Sequence, residues 1–118
     1  MISLKLNKNL IDDFNENGFL ILDKFLDLKY INRLRKKFEP LFKGDFETGK
    51  EPDEWNWKFG IDPEDVTRQI CNGWKADNLI REFVCHELVG ECCSRLMNWN
   101  GARLIQDNVL WKPPGGKT

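Results

Sequence analysis

Apolar residues recur at intervals of three and four from residue 28 to residue 41, which is the period of one face of an α-helix. The apolar stripe consists of Leu28, Ile31, Leu34, Phe38 and Leu41, and the opposite face carries Lys29, Arg33, Lys36 and Lys37. Asp27 precedes the stripe, where a helix N-cap is expected, and Pro40 is expected to kink or end the helix. The pattern therefore predicts an amphipathic helix with a solvated basic face.

A shorter helix is predicted before it, because a few apolar residues share one face between a capping residue and a glycine. These residues are the cap Asn9, the stripe Leu10, Ile11 and Phe14, and the terminal Gly18. Residues 19–22 are all apolar and lie between a glycine and an aspartate. Such a short run predicts a buried strand.

The rest of the chain predicts a long loop, a helical region and a final strand. Residues 43–63 contain glycines and prolines without a sustained period, so they predict an irregular loop that Trp55, Trp57 and Phe59 pin to the body. Residues from 77 to 98 predict a helix that is interrupted at Gly90 and then continues. Residues 102–112 predict a strand that enters a Pro-Pro-Gly-Gly turn, with no following strand to pair with it, so its backbone groups are expected to be exposed.

Length and charge limit the classes of function. A chain of 118 residues suits one domain or part of one. The 18 basic and 19 acidic residues are mixed, with a net charge of -1, so a nucleic-acid partner is not expected. No stretch reaches the roughly 18 apolar residues of a membrane span, and the N-terminus lacks the apolar core of a signal peptide. A cytoplasmic location with four reduced cysteines is therefore predicted.

His86 is the single histidine, and it limits the chemistry that the chain supports. A 2-His-1-carboxylate iron site needs two imidazoles, so no metal ligand and no catalytic residue is predicted here. His86 is expected to be a partly exposed residue on a helix face. A zinc site using Cys85, His86, Cys92 and Cys93 is weighed and disfavoured, because the usual C-x2-C or H-x3-H spacing is missing.

Two other candidate sites are also disfavoured. The segment PPGGK lacks the G-x-x-x-x-G-K-[ST] spacing of a phosphate-binding loop. The carboxylates of the long loop show no sign of the burial that a pair of catalytic acids would need, so they predict a solvated surface. These residues are Asp53, Glu54, Asp62, Glu64 and Asp65.

Three stretches together resemble the phytanoyl-CoA dioxygenase family: GFLILDKFLD at 18–27, TRQICNGWKAD at 67–77 and ARLIQDNVLWKPPGGK at 102–117. The last is the most specific of the three. The resemblance implies an α+β fold, made of the N-terminal helices and first strands of a double-stranded β-helix, or jelly roll. Residues 1–118 would then form a single partial domain, because the H-x-D iron motif of the family would follow this strand.

The resemblance also implies a chemistry. Enzymes of this family use Fe(II), O2 and 2-oxoglutarate to oxidise a C–H bond, releasing succinate and CO2. By similarity, Gln106, Asn108 and Lys112 would line the cosubstrate pocket, since alternate residues of a strand face one side. Arg68 and Trp74 would close the substrate pocket or anchor the loop.

Two functional expectations follow. The first is an N-terminal part of an Fe(II)/2-oxoglutarate dioxygenase, inactive alone, whose partner is a C-terminal half that supplies the iron site. The alternative is a non-enzymatic module that binds a protein partner through an exposed strand and the aromatic loop. Neither expectation identifies the substrate, because a fold does not determine a function.

Overall fold

The structure is a computed structural model that describes residues 1–116. The helices are α1 (Lys8–Asn17), α2 (Leu28–Phe42), α3 (Asn78–Val84) and α4 (Glu87–Met97), with a short 3-10 helix at Gly73–Lys75. The strands are β1 (Glu54–Trp55), β2 (Arg68–Cys71) and β3 (Asn108–Trp111). The described part of the chain is thus a mixture of helices and one small sheet.

The sheet is antiparallel, with strand order β1-β2-β3. Ile70 of β2 lies opposite Val109 of β3, and Gln69 lies opposite Leu110. Because side chains alternate across a strand, Ile70 and Val109 share one face of the sheet, and Gln69 and Leu110 share the other. The first pair is buried, whereas Leu110 is 61% exposed, so the second face is uncovered around Gln69 and Leu110, although Cys71 at its end is buried.

The core lies between that covered face and the helices. Its buried members include Tyr30, Leu34, Leu41 and Phe42 from α2, Leu79 and Ile80 from α3, and Trp57, Ile70 and Val109 from the loop and the sheet. Tyr30 also donates a hydrogen bond from its hydroxyl to Glu82 Oε1 at 3.1 Å, which ties α2 to α3. Burial is the main reason that the pKa of Tyr30 is raised to about 12.

The predicted N-terminus of α2 is confirmed, and most residues of the predicted apolar stripe face the core. Asp27 caps the helix by accepting a hydrogen bond from the Tyr30 backbone N–H at 2.7 Å. Leu28, however, is 76% exposed, since the first turn extends beyond the core. The helix also continues two residues past Pro40, to Phe42.

The cap predicted for α1 is wrong. Asn7, rather than Asn9, accepts the hydrogen bond from the Leu10 N–H, at 3.0 Å. The C-terminal end is confirmed, because Gly18 adopts a left-handed φ of 77° and donates its N–H to Phe14 O.

The buried strand predicted at residues 19–22 is also wrong. The segment has no strand partner within residues 1–116, and Phe19 and Ile21 are 64% and 75% exposed. An apolar run makes a strand only where another backbone pairs with it, and nothing in the described part of the chain does so here.

The break in the third helical region falls at Cys85 and His86 rather than at Gly90, which lies inside α4. His86 is extended and caps α4, with its Nδ1 accepting a hydrogen bond from the Leu88 N–H at 3.2 Å. The expectation of a helix-face histidine is therefore wrong. A histidine cap is not among the usual capping residues, which is why the sequence pattern missed it.

The strand predicted at residues 102–112 is shorter than expected, because only Asn108–Trp111 pair in the sheet. On one side β2, which precedes it in the chain, pairs with it along its whole length, and its other side has no partner strand among residues 1–116. Gly116 closes the predicted turn by donating its N–H to Pro113 O at 2.9 Å.

Candidate functional site

Three side-chain amides meet on the uncovered face of the sheet. Asn108 Oδ1 accepts hydrogen bonds from Gln69 Nε2 at 3.0 Å and from Gln106 Nε2 at 3.5 Å. The Nδ2 amide group of Asn108 makes no hydrogen bond within residues 1–116, so its two N–H groups can serve a ligand. We call Gln69, Gln106 and Asn108 the amide cluster.

Two of its members, Gln106 and Asn108, were predicted, and the structure brings them together. Gln69 was not predicted. It lies in β2, which the sequence pattern did not mark as a strand, and its contact with Asn108 depends on a pairing across 39 positions. Alternation along β3 also places Lys112 on this side, one residue past the strand, where it is exposed.

Asp107 fixes the position from which β3 presents the cluster. The residue is 9% exposed, and its carboxylate accepts hydrogen bonds from the backbone N–H groups of Gly73 and Trp74, both at 3.1 Å. The backbone of Asp107 and residue Asn72 also exchange two hydrogen bonds. Burial raises the pKa of the Asp107 carboxyl, and the two N–H donors oppose that shift.

Gly73 is part of the same junction. A Cβ atom on Gly73 would lie 2.8 Å from Val109 Cγ2, which is closer than packed carbon atoms approach. The 3-10 helix can therefore pack against β3 only because this residue has no side chain.

Arg68 does not lie with the amide cluster. It shares the covered face of the sheet with its β3 partner Trp111, and it is 7% exposed. Its guanidinium carbon lies 3.6 Å from the ring centre of Trp57 and 4.2 Å from that of Trp111, and it pairs with Glu64 at 2.9 Å. These contacts hold the loop against the sheet.

Trp74 lies in the 3-10 helix that Asp107 holds to β3. Its ring faces Arg81 at 5.0 Å and Lys75 at 5.7 Å, and its backbone N–H is bound by Asp107. Asp107, the chain neighbour of Asn108, links Trp74 to the strand that carries the amide cluster.

Two tryptophans attach the long loop as predicted. Trp55 donates its indole N–H to Phe42 O at 3.0 Å. Trp57 is buried in the core against Arg68, and its indole N–H is bound to Pro63 O within the loop. Phe59 is 55% exposed and does not pin the loop in the same way.

Two acidic residues clamp the other end of this loop and predict a pH dependence. Glu47 accepts a hydrogen bond from the Asn78 N–H and pairs with Lys37, and Asp53 pairs with Lys75. The Asn78 N–H, followed by Lys37, lowers the pKa of Glu47. Lys75 lowers the pKa of Asp53, with help from Asn72.

Folding lowers the pKa of both carboxyl groups below their ordinary range of ~4. Their ion pairs and hydrogen bonds therefore stabilise the fold fully above that range, and this stabilisation is lost as the pH falls through the lowered pKa values. We therefore expect the urea midpoint to decrease between pH 6 and pH 3. The double variant Glu47→Gln/Asp53→Asn should show a smaller decrease. A decrease as large as that of the unmodified protein would contradict this assignment.

No metal site is assembled from the described residues. Within residues 1–116, no three histidine, cysteine or acidic side chains come together as a metal site requires. Cys71 and Cys92 are buried, which raises the pKa of both thiols and keeps them protonated. A single histidine does not fit the ligand set of a 2-His-1-carboxylate iron centre, so these residues cannot form one.

Comparison of the chain with protein-family models, with curated proteins and with solved structures found no match. The resemblance to phytanoyl-CoA dioxygenases therefore rests on the three sequence stretches alone. Among residues 1–116, none of the helices combines the length and the apolar character needed to cross a membrane.

Proposed function

We propose that this chain forms the N-terminal wall of the pocket in an Fe(II)/2-oxoglutarate oxygenase of the phytanoyl-CoA dioxygenase type. The observation that carries the proposal is the amide cluster on the uncovered face of the sheet. In this proposal β1, β2 and β3 are the first strands of a jelly roll, and their uncovered face is turned toward its interior.

An exposed apolar residue beside the cluster supports an interior position. Leu110 lies opposite Gln69 on this face and is 61% exposed, so it would be solvated in an isolated sheet. A jelly roll consists of two sheets whose inner faces pack against each other. A second sheet would cover the Leu110 side chain and would leave the amides facing the space between the two sheets.

The chemistry of the cluster suits a bound carboxylate. The free N–H groups of Asn108 are hydrogen-bond donors, and the Lys112 ammonium adds a positive charge on the same side. Their role would be to bind and orient the 2-oxoglutarate. Gln69 and Gln106 would hold the Asn108 side chain so that its N–H groups face the ligand, since both donate to its oxygen.

The iron ligands would come from residues other than these 118. A partner segment, in the same chain or separate, would supply an H-x-D motif and a second histidine. We place the protein in the cytoplasm, where its four free cysteines would stay reduced.

The first expected result concerns the chain by itself. Purified residues 1–118 should form no succinate from 2-oxoglutarate and should not bind Fe(II) tightly, because one imidazole cannot complete the facial set of ligands. Succinate formation above a metal-free control would rule out this division of roles.

The second test uses the chain together with the segment that carries the H-x-D motif. There, Gln106→Ala should raise the KM for 2-oxoglutarate or lower kcat by a factor of roughly 2 to 12, the equivalent of one neutral hydrogen bond of 0.5–1.5 kcal/mol. Asn100→Ala is the matched control, since Asn100 is exposed and lies outside the sheet. Equal kinetic constants for Gln106→Ala and the control would remove Gln106 from the pocket.

A binding module is the second candidate, and the position of β3 favours it. In the described part of the chain, β3 is an edge strand with a free side, and a free edge can accept a strand from a partner. The coding sequence after residue 118 distinguishes the candidates. An H-x-D motif there favours the oxygenase, and a stop codon with no such motif nearby favours the module.

A further inference from the structure

A cavity of about 620 Å³ lies on the covered side of the sheet, away from the amide cluster. It is bordered by the C-terminal half of α2, the long loop, and the strands β2 and β3, and it is open to solvent on one side. Its aromatic lining comes from Phe38, Phe42, Phe59 and Trp111. The volume is within the range of small-molecule sites, and an aromatic lining with a few polar groups is typical of them.

Arg68 lines this cavity, and one edge of its guanidinium group is incompletely hydrogen-bonded. Its Nη2 donates to Glu64 Oε2 at 2.9 Å and to Glu64 O at 3.1 Å. The neighbouring Nε–H is buried and has no hydrogen-bond partner among residues 1–116. Nε and Nη2 lie on one edge of the guanidinium group, where a carboxylate can accept from both. Glu64 uses only one of these two donors.

The charges around the cavity favour an anion. Arg35 lines it and makes no ion pair or hydrogen bond within the described residues. Lys43 is paired with Glu39 at 2.7 Å. The Glu64 side chain is 71% exposed, so it can move into solvent and leave its place on Arg68 to another carboxylate.

We propose that this cavity binds a small organic carboxylate with a planar aromatic body. The carboxylate would take the Nε and Nη2 edge of Arg68 in place of Glu64, with Arg35 as the second positive charge. The aromatic body would lie against Phe59 and Trp111. This site lies on the opposite face of the sheet from the amide cluster and does not depend on the proposed oxygenase function.

A titration with 2-naphthoate tests the site in the 118-residue chain. The indole N–H resonance of Trp111 should shift and saturate in NMR spectra, whereas that of the exposed Trp99, outside the cavity, should not. The neutral analogue 2-naphthamide should bind at least tenfold more weakly, because it carries no charge for Arg68. Equal affinity for the two compounds, or no saturable shift of Trp111, would overturn the proposal.

Two variants that keep Arg68 and its packing are expected to change the affinity for 2-naphthoate in opposite directions. Glu64→Gln should bind 2-naphthoate severalfold more tightly, because it removes the competing carboxylate, and Glu51→Gln, remote from the cavity, should change little. Arg35→Gln should bind severalfold more weakly, whereas its neighbour Lys36→Gln, which has the same net charge, should not. Weaker binding by Glu64→Gln, or equal losses for Arg35→Gln and Lys36→Gln, would overturn the proposal. Thermal melts of each variant confirm that the fold is intact.

Discussion

Replacing Asp107 with alanine is expected to lower the free energy of unfolding by roughly 2 to 4 kcal/mol. The substitution leaves the backbone N–H groups of Gly73 and Trp74 without their acceptor. Each buried N–H that loses its partner costs roughly 1 to 3 kcal/mol, and relief of the buried carboxylate, whose pKa burial raises, offsets part of that cost.

Urea denaturation of the variant measures this effect. Asp13→Ala is the matched control, because Asp13 is an exposed aspartate of α1, and its effect should stay within about 0.5 kcal/mol. Equal stabilities for the two variants would mean that the carboxylate of Asp107 does not hold the 3-10 helix to β3.

Replacing Ile70 with alanine should destabilise the protein by roughly 2 to 5 kcal/mol, the range for truncating a buried isoleucine. Ile70 is 0% exposed and packs in the core between the sheet and the helices. Leu110→Ala is the contrasting change on the other face of the same sheet. Since Leu110 is 61% exposed, its truncation should change the stability by no more than about 0.5 kcal/mol.

Thermal and urea unfolding of both variants compare the two faces directly. A large loss of stability for Leu110→Ala in a verified monomer would show that the face with the amide cluster is already packed. The proposed function requires that this face stay open until a second sheet covers it, so that result would also count against the proposal.

A helix could be predicted correctly where apolar residues recurred with a strong helical period and a conventional N-cap residue preceded them. Asp27 and the stripe from Leu34 to Leu41 fulfil both conditions, and α2 begins at the predicted residue. The break before α4 was missed because His86 caps this helix through Nδ1, and histidine is not among the residues preferred at helix N-caps. The apolar residues 19–22 looked like a strand, yet a strand needs a partner that local sequence cannot provide.

The candidate site was predictable only in part, for a similar reason. Alternation along one strand was enough to put Gln106, Asn108 and Lys112 on one side. Gln69 could not be found in this way, because its place depends on the register of β2 against β3. Arg68 was assigned to a pocket wall from a resemblance, whereas its burial between Trp57 and Trp111 depends on contacts between distant parts of the chain.

The most direct test of the proposed function is the rate of succinate formation when residues 1–118 are combined with the segment that carries the H-x-D motif and a second histidine. The assay contains Fe(II), O2 and 2-oxoglutarate, and each part is also measured alone. We predict turnover by the combination and none by either part, with a lower rate or a higher KM for 2-oxoglutarate in Asn108→Ala. The absence of succinate above a metal-free control in a folded combination that binds Fe(II) would contradict the proposal.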